Sequence, residues 1–148
     1  MVTTEKIPTV SYGSAALSDC VFVAEFESCR YPKDQFRHAD HIRLAWIYLR
    51  ENDYAIAEDR MRRSIRSFAQ NAGAGQKYHE TMTVAWMLLV RIASHLSARI
   101  SSFEEFAQAH SLLLNKDAIL EFYSPERLKS DSARSSWIEP DLKSLPTV

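Results

Sequence analysis

Glycine is almost missing from this chain. There are three in 148 residues, and two of them fall in the single stretch NAGAG. Tight hairpins use glycine where φ is positive, and no period-two alternation of apolar and polar residues is found, so a sheet architecture is not expected. The scarcity also excludes glycine-built phosphate loops and the strained serine elbow: no G-x-G-x-x-G, Walker A or G-x-S-x-G occurs, and the one GAG lies between helical segments. Prolines sit only towards the ends of the chain. There are two cysteines, Cys20 and Cys29, and no C-x-x-C pair. They read as small apolar core residues of a reducing compartment, with a single disulfide as the alternative. The most apolar run, TVAWMLLVRIA, is interrupted by Arg91 and too short to span a bilayer. No basic start followed by an apolar run marks a signal peptide. A formal net charge of −1 gives no global attraction to nucleic acid or to an anionic membrane. A cytoplasmic protein without nucleic-acid or membrane partners is therefore expected.

What the chain does have is helical punctuation. Apolar residues make up 46% and charged residues 25%, an ordinary globular balance for one domain with one core. Residues 1–14 read as a flexible N-terminal segment and 15–148 as a single all-α domain, a compact bundle of about five main helices. The first four are expected at about 15–29, 38–51, 54–70 and 79–97, with another short helix at about 117–123. Asn52 or Asp53 caps the third, Ser102 opens a short helix at FEEFAQAH with Glu105 in the capping-box position, and Ser124 with Pro125 starts another. The fourth helix is apolar nearly all round and should be the buried centre. On the third, Tyr54, Ala57, Met61, Ser64, Ile65 and Phe68 share one face, while the arginines of RMRRSIR lie mainly off it and read as a solvated face near Glu58 and Asp59. WIEPDLKSLPTV reads as an extended tail resting on the body through Trp137, Ile138 and Leu142.

The histidines carry the chemical signal. On the second helix His38 and His41 are three residues apart and fall on one stripe with Ile42, Ala45 and Leu49, while Asp40, Arg43, Arg50 and Glu51 fall on the other side. His79 opens the fourth helix on the stripe of Thr83, Trp86 and Val90. Inward imidazoles need partners, and three from two helices can share a divalent metal such as zinc, iron, nickel or manganese, with one coordination position left open. Glu80 is the candidate acid/base, Tyr78 the residue that positions substrate, and Thr83 and Arg134 the candidate substrate-binding residues. His95 and His110 read as structural or surface residues.

FRHADHIRLAWIYL, KYHETMT, FYSPERLKSDSAR and WIEPDL together resemble a widespread set of small bacterial all-helical proteins with the pattern F-x-H-x-x-H, Y-H-E-T, Y-S-x-x-x-L-x-S, A-R and P-D. The matching positions include Phe36, His38, His41, Tyr78, His79, Glu80, Thr81, Tyr123, Ser124, Ser130, Ala133, Arg134, Pro140 and Asp141. The resemblance implies a bacterial origin and a helical fold and carries no activity with it. From the residues themselves, the leading expectation is a metal-dependent enzyme acting on a small molecule at a pocket lined by His38, His41 and His79. The alternative is a non-catalytic helical module, binding a ligand or a partner protein, in which the histidines are structural.

Overall fold

A computed structural model of the chain describes residues 12–148. Among them there is no strand, and seven α-helices follow in order: α1 Asp19–Glu27, α2 His38–Glu51, α3 Tyr54–Asn71, α4 Glu80–Leu96, α5 Phe103–Ala109, α6 Pro125–Lys129 and α7 Asp131–Ser135, with short 3-10 turns before α4 and between α5 and α6. The short helix expected near residue 117 is a 3-10 turn over Lys116–Glu121. No helix among the described residues is long and apolar enough to cross a membrane.

The caps explain the boundaries. Asp53 accepts from the Ile56 N–H at the start of α3, and Ser102, Ser124 and Ser130 do the same for α5, α6 and α7. α1 starts later than the apolar pattern suggests, because Ser18 caps it and the residues before it form a separate turn. It ends at Cys29, which takes the left-handed conformation with φ 61°, while Arg30 N–H bonds back to Glu25 O in a Schellman closure. Both cysteines are free. Cys29 packs against the core and Cys20 is exposed, so the expectation of two core cysteines holds for one of them.

α4 is buried or half-buried as expected up to Ala93 except at Arg91, with Trp86 at 2% exposure, and its last turn is exposed at His95 and Leu96; α2 is equally central and packs on both α3 and α4. Its side opposite the histidines is solvated only at the far end, where Arg50 and Glu51 are exposed. Asp40 is fully buried and Arg43 nearly so, because the turn at 14–17 closes over them. Asp40 accepts from the N–H groups of Ser14 and Arg37, each at 2.9 Å. Arg43 donates to Ser14 O at 2.6 Å, Leu17 O at 2.8 Å and Asp19 Oδ1 at 2.7 Å. Here glycine is needed for space: a Cβ on Gly13 would lie 2.5 Å from Gln35 O and 2.7 Å from Tyr31 Oη. The flexible segment expected over residues 1–14 lies outside the described residues for 1–11, while Ser14 is firmly held.

At the other end the tail lies on α4. The Thr81 hydroxyl donates to Ser136 O at 2.8 Å and accepts from Ile138 N–H at 3.2 Å. Tyr123 Oη donates to Ile138 O, and Asp141 accepts from both the N–H and the hydroxyl of Ser124. Trp137 and Ile138 pack on the core as expected, but Leu142 is exposed and Leu145 takes its place. Thr81→Val keeps the shape and leaves Ser136 O and Ile138 N–H without their buried partner, so a loss of roughly 1–1.5 kcal/mol is expected. Equilibrium urea unfolding measures it; an unchanged midpoint would show the tail to be unimportant for stability.

Candidate functional site

Three elements meet in front of Trp86. The first turn of α2 brings His38 and His41, α3 brings Ile65, and the junction into α4 brings Tyr78, His79 and Thr83. They enclose a cavity of about 280 Å³. Helix periodicity places His38 and His41 on one side of α2, and the cap geometry of α4 turns His79 towards the same space.

The three imidazoles are held differently. His38 Nε2 lies 2.8 Å from Leu113 O. A carbonyl only accepts, so Nε2 carries the proton and Nδ1 keeps its lone pair. Its ring meets Trp86 edge-on, with centroids 4.5 Å apart. Burial pushes its pKa down, the bond to Leu113 opposes this, and Lys116 lowers it further.

His79 is the N-cap of α4. Its Nδ1 accepts from Met82 N–H at 3.1 Å, and Nε2 lies 2.7 Å from Leu128 O, to which it must donate. Both ring nitrogens are therefore in use. Burial lowers its pKa, against the pull of the Leu128 bond, with help from the Arg134 charge.

His41 differs from both. Its Nε2 is out of contact with solvent and has no hydrogen-bond partner. Burial, with the neighbouring His38, pushes its pKa down to about 3. The ring is thus uncharged at neutral pH. An unpaired buried polar nitrogen costs about 1–3 kcal/mol, and such an uncompensated group commonly marks a functional position.

The remaining candidates divide. Tyr78 and Thr83 line the cavity. The Tyr78 hydroxyl donates to Glu80 Oε1 at 2.6 Å, and burial followed by that bond raises its pKa to about 12. Thr83 donates back to His79 O at 2.8 Å. Glu80 turns the other way: Arg62 Nε reaches its Oε2 at 2.7 Å and Arg66 stands at 3.9 Å. It is absent from the cavity wall, which bears on its expected acid/base role. Arg134 reaches Gln76 O at 3.3 Å, at the edge of the same junction.

For a metal, the open lone pairs are those of His38 Nδ1 and His41. Ligation by all three histidines requires His79 to give up a hydrogen bond that caps α4. Among the described residues no group of three or more His, Cys, Asp and Glu side chains is arranged to hold an ion. The sequence did not single out Lys77 or the α3 residues of the wall, Ile65 and Ala69. Ile65 was visible on the inward face of α3, but the inter-helix packing that turns it towards the histidines was not. The arginine run is accounted for by the acids of this chain: Arg60 pairs with Glu27 and Glu51, Arg62 with Glu58 and Glu80, and Arg63 with Asp59.

No family model matches the chain, and no curated protein and no solved structure does either.

Proposed function

We propose that this protein binds a small organic molecule in the cavity between α2, α3 and α4, and that His41 supplies the central polar contact. The single observation that supports this is the unpartnered Nε2 of a buried imidazole on the wall of a 280 Å³ cavity. A neutral imidazole donates or accepts a hydrogen bond according to its tautomer, so a ligand group of either kind satisfies it. Trp86 and Met82 offer apolar surface to the rest of the molecule, the usual composition of a small-molecule site. Binding is favoured over proton-transfer catalysis by charge. A base with a pKa of about 3 is a poor match to chemistry near pH 7, and Tyr78 is engaged with Glu80. The bacterial, cytoplasmic setting is part of this proposal and rests on the motif resemblance and the two free thiols.

A metal-dependent enzyme at the same cavity is the second reading. It is favoured by the open nitrogens of His38 and His41, whose ring centroids are 6.4 Å apart. Elemental analysis after metal-replete purification without a histidine tag separates the two: stoichiometric divalent metal, lost in His41→Ala, selects the enzyme.

The binding reading is tested with a fragment library followed by ¹H–¹⁵N NMR of the Trp86 indole, assigned with Trp86→Phe. Fragments that shift this signal in the native protein and fail to do so in His41→Leu are expected. A library that moves only signals remote from Trp86, or binds the leucine variant equally well, sinks the reading.

A further inference from the structure

We propose that the ligand of this cavity is a small organic acid, its carboxylate held at the rim by Lys77 and Arg134 and its apolar body lying along Trp86. This rests on the cavity reading above and adds the chemical class.

The argument is one of charge. Lys77 is the one charged residue on the cavity wall, and no carboxylate lines it. Glu80, the nearest acid in sequence, is drawn away by Arg62, Arg66 and the Tyr78 hydroxyl. Lys77 has no acidic side chain within ion-pair distance among the described residues, and neither has Arg134. These two cations belong to one place. Arg134 bonds the carbonyl of Gln76, the residue before Lys77, and its charge reaches His79 on the cavity wall. The contrast with α3 is direct, since Arg60, Arg62, Arg63 and Arg66 there all face acids of the chain.

A cavity with unneutralised Lys77 on its wall, and with unneutralised Arg134 bonded to the carbonyl of the preceding residue, attracts an anion, and a guanidinium with an ammonium suits a carboxylate. A phosphate is a poorer fit. Met82 N–H, the first-turn amide of α4 on this side, is taken by His79 Nδ1, which leaves fewer backbone donors for a dianion. Behind the rim the wall is apolar through Ile65, Met82 and Trp86. His41, whose buried Nε2 has no partner, also belongs to the wall.

The test uses the full chain and two pairs of probes of matched shape, benzoate with benzamide and hexanoate with hexanamide. Calorimetry gives the affinities and the Trp86 indole signal gives the location. In at least one pair the acid is expected to bind about tenfold tighter than its amide, the size of one charge-assisted hydrogen bond, and the advantage should shrink as salt rises. Lys77→Met, at an exposed position, and Arg134→Gln, at a half-buried one, should each remove about threefold or more of that advantage. Amides that bind at Trp86 as tightly as their acids overturn the assignment of an acid while the cavity reading stands. An acid preference that survives in the double variant overturns it too. If no probe of either pair disturbs Trp86, the cavity reading fails and this inference with it.

Discussion

Trp86→Ala should lower the unfolding free energy by roughly 3–5 kcal/mol, the range for a large buried aromatic cut back to a methyl group. The indole is 2% exposed on the helix that meets α2, α3 and α7, and its ring stacks edge-on with His38. Removing it opens a void that close-packed neighbours fill only in part. It also takes away the apolar wall of the histidine cavity, so fragment binding should disappear together with the stability. Denaturant unfolding at pH 7.5 measures the first effect. A loss under about 1 kcal/mol would mean that α4 is not the central helix.

His41→Leu should behave in the opposite way, and its effect should grow with acidity. The folded protein holds His41 near a pKa of 3, whereas in the unfolded chain an imidazole titrates near 6.5. The unfolded state therefore takes up a proton as pH falls below about 6.5 while the folded state does not. The stability associated with a neutral His41 is fully present above that value and is lost as pH drops towards 3. At pH 5 the loss amounts to roughly 2 kcal/mol. Leucine has no proton to take up. At pH 7.5 the variant should match the native protein or exceed it by up to about 1 kcal/mol, because an unpaired polar atom is gone. At pH 5 it should be more stable by about 2 kcal/mol. A variant that gains stability while it loses ligand is what a functional histidine predicts. A variant that loses 2 kcal/mol or more at pH 7.5 would instead make His41 a structural residue. His38, His79 and His110 are also held below their ordinary values, so some acid sensitivity should remain after the substitution.

How far the sequence reveals all this depends on whether a feature is local. The ends of α2 and α3 are legible because each is set within a few residues, by helical periodicity and by Asp53 at its cap. The joint placement of His38, His41 and His79 follows from two stripes and the assumption that the two core helices pack together, and they do share a cavity wall. What escapes is long-range pairing. Asp40 and Arg43 look like a solvated face, since nothing in their own helix announces that Ser14 and Leu17 will fold over them. The ion pair of Glu80 with Arg62, eighteen residues earlier in the chain, is likewise not announced by the residues around it. A metal site also needs free lone pairs: that of His79 Nδ1 is taken by the Met82 N–H, while the distant carbonyls of Leu113 and Leu128, silent in any local pattern, fix which nitrogen of each ring carries the proton.

Those two carbonyls have a bearing on how the molecule comes into being. His38 is bonded to Leu113, seventy-five positions further on, and His79 to Leu128, forty-nine positions further on. Helices α2, α3 and α4 precede both partners in the chain, α4 ending at Leu96. At roughly 5–20 residues per second of synthesis, about one to three seconds separate the end of α4 from Leu113 and about two to six separate it from Leu128. The two imidazoles are meanwhile open to protonation and to any metal ion nearby. Only when the region around α6 arrives does the second imidazole become fixed in its tautomer and the cavity acquire its settled walls. The C-terminal quarter of the chain is thus the part that finishes the site, although it supplies none of the histidines.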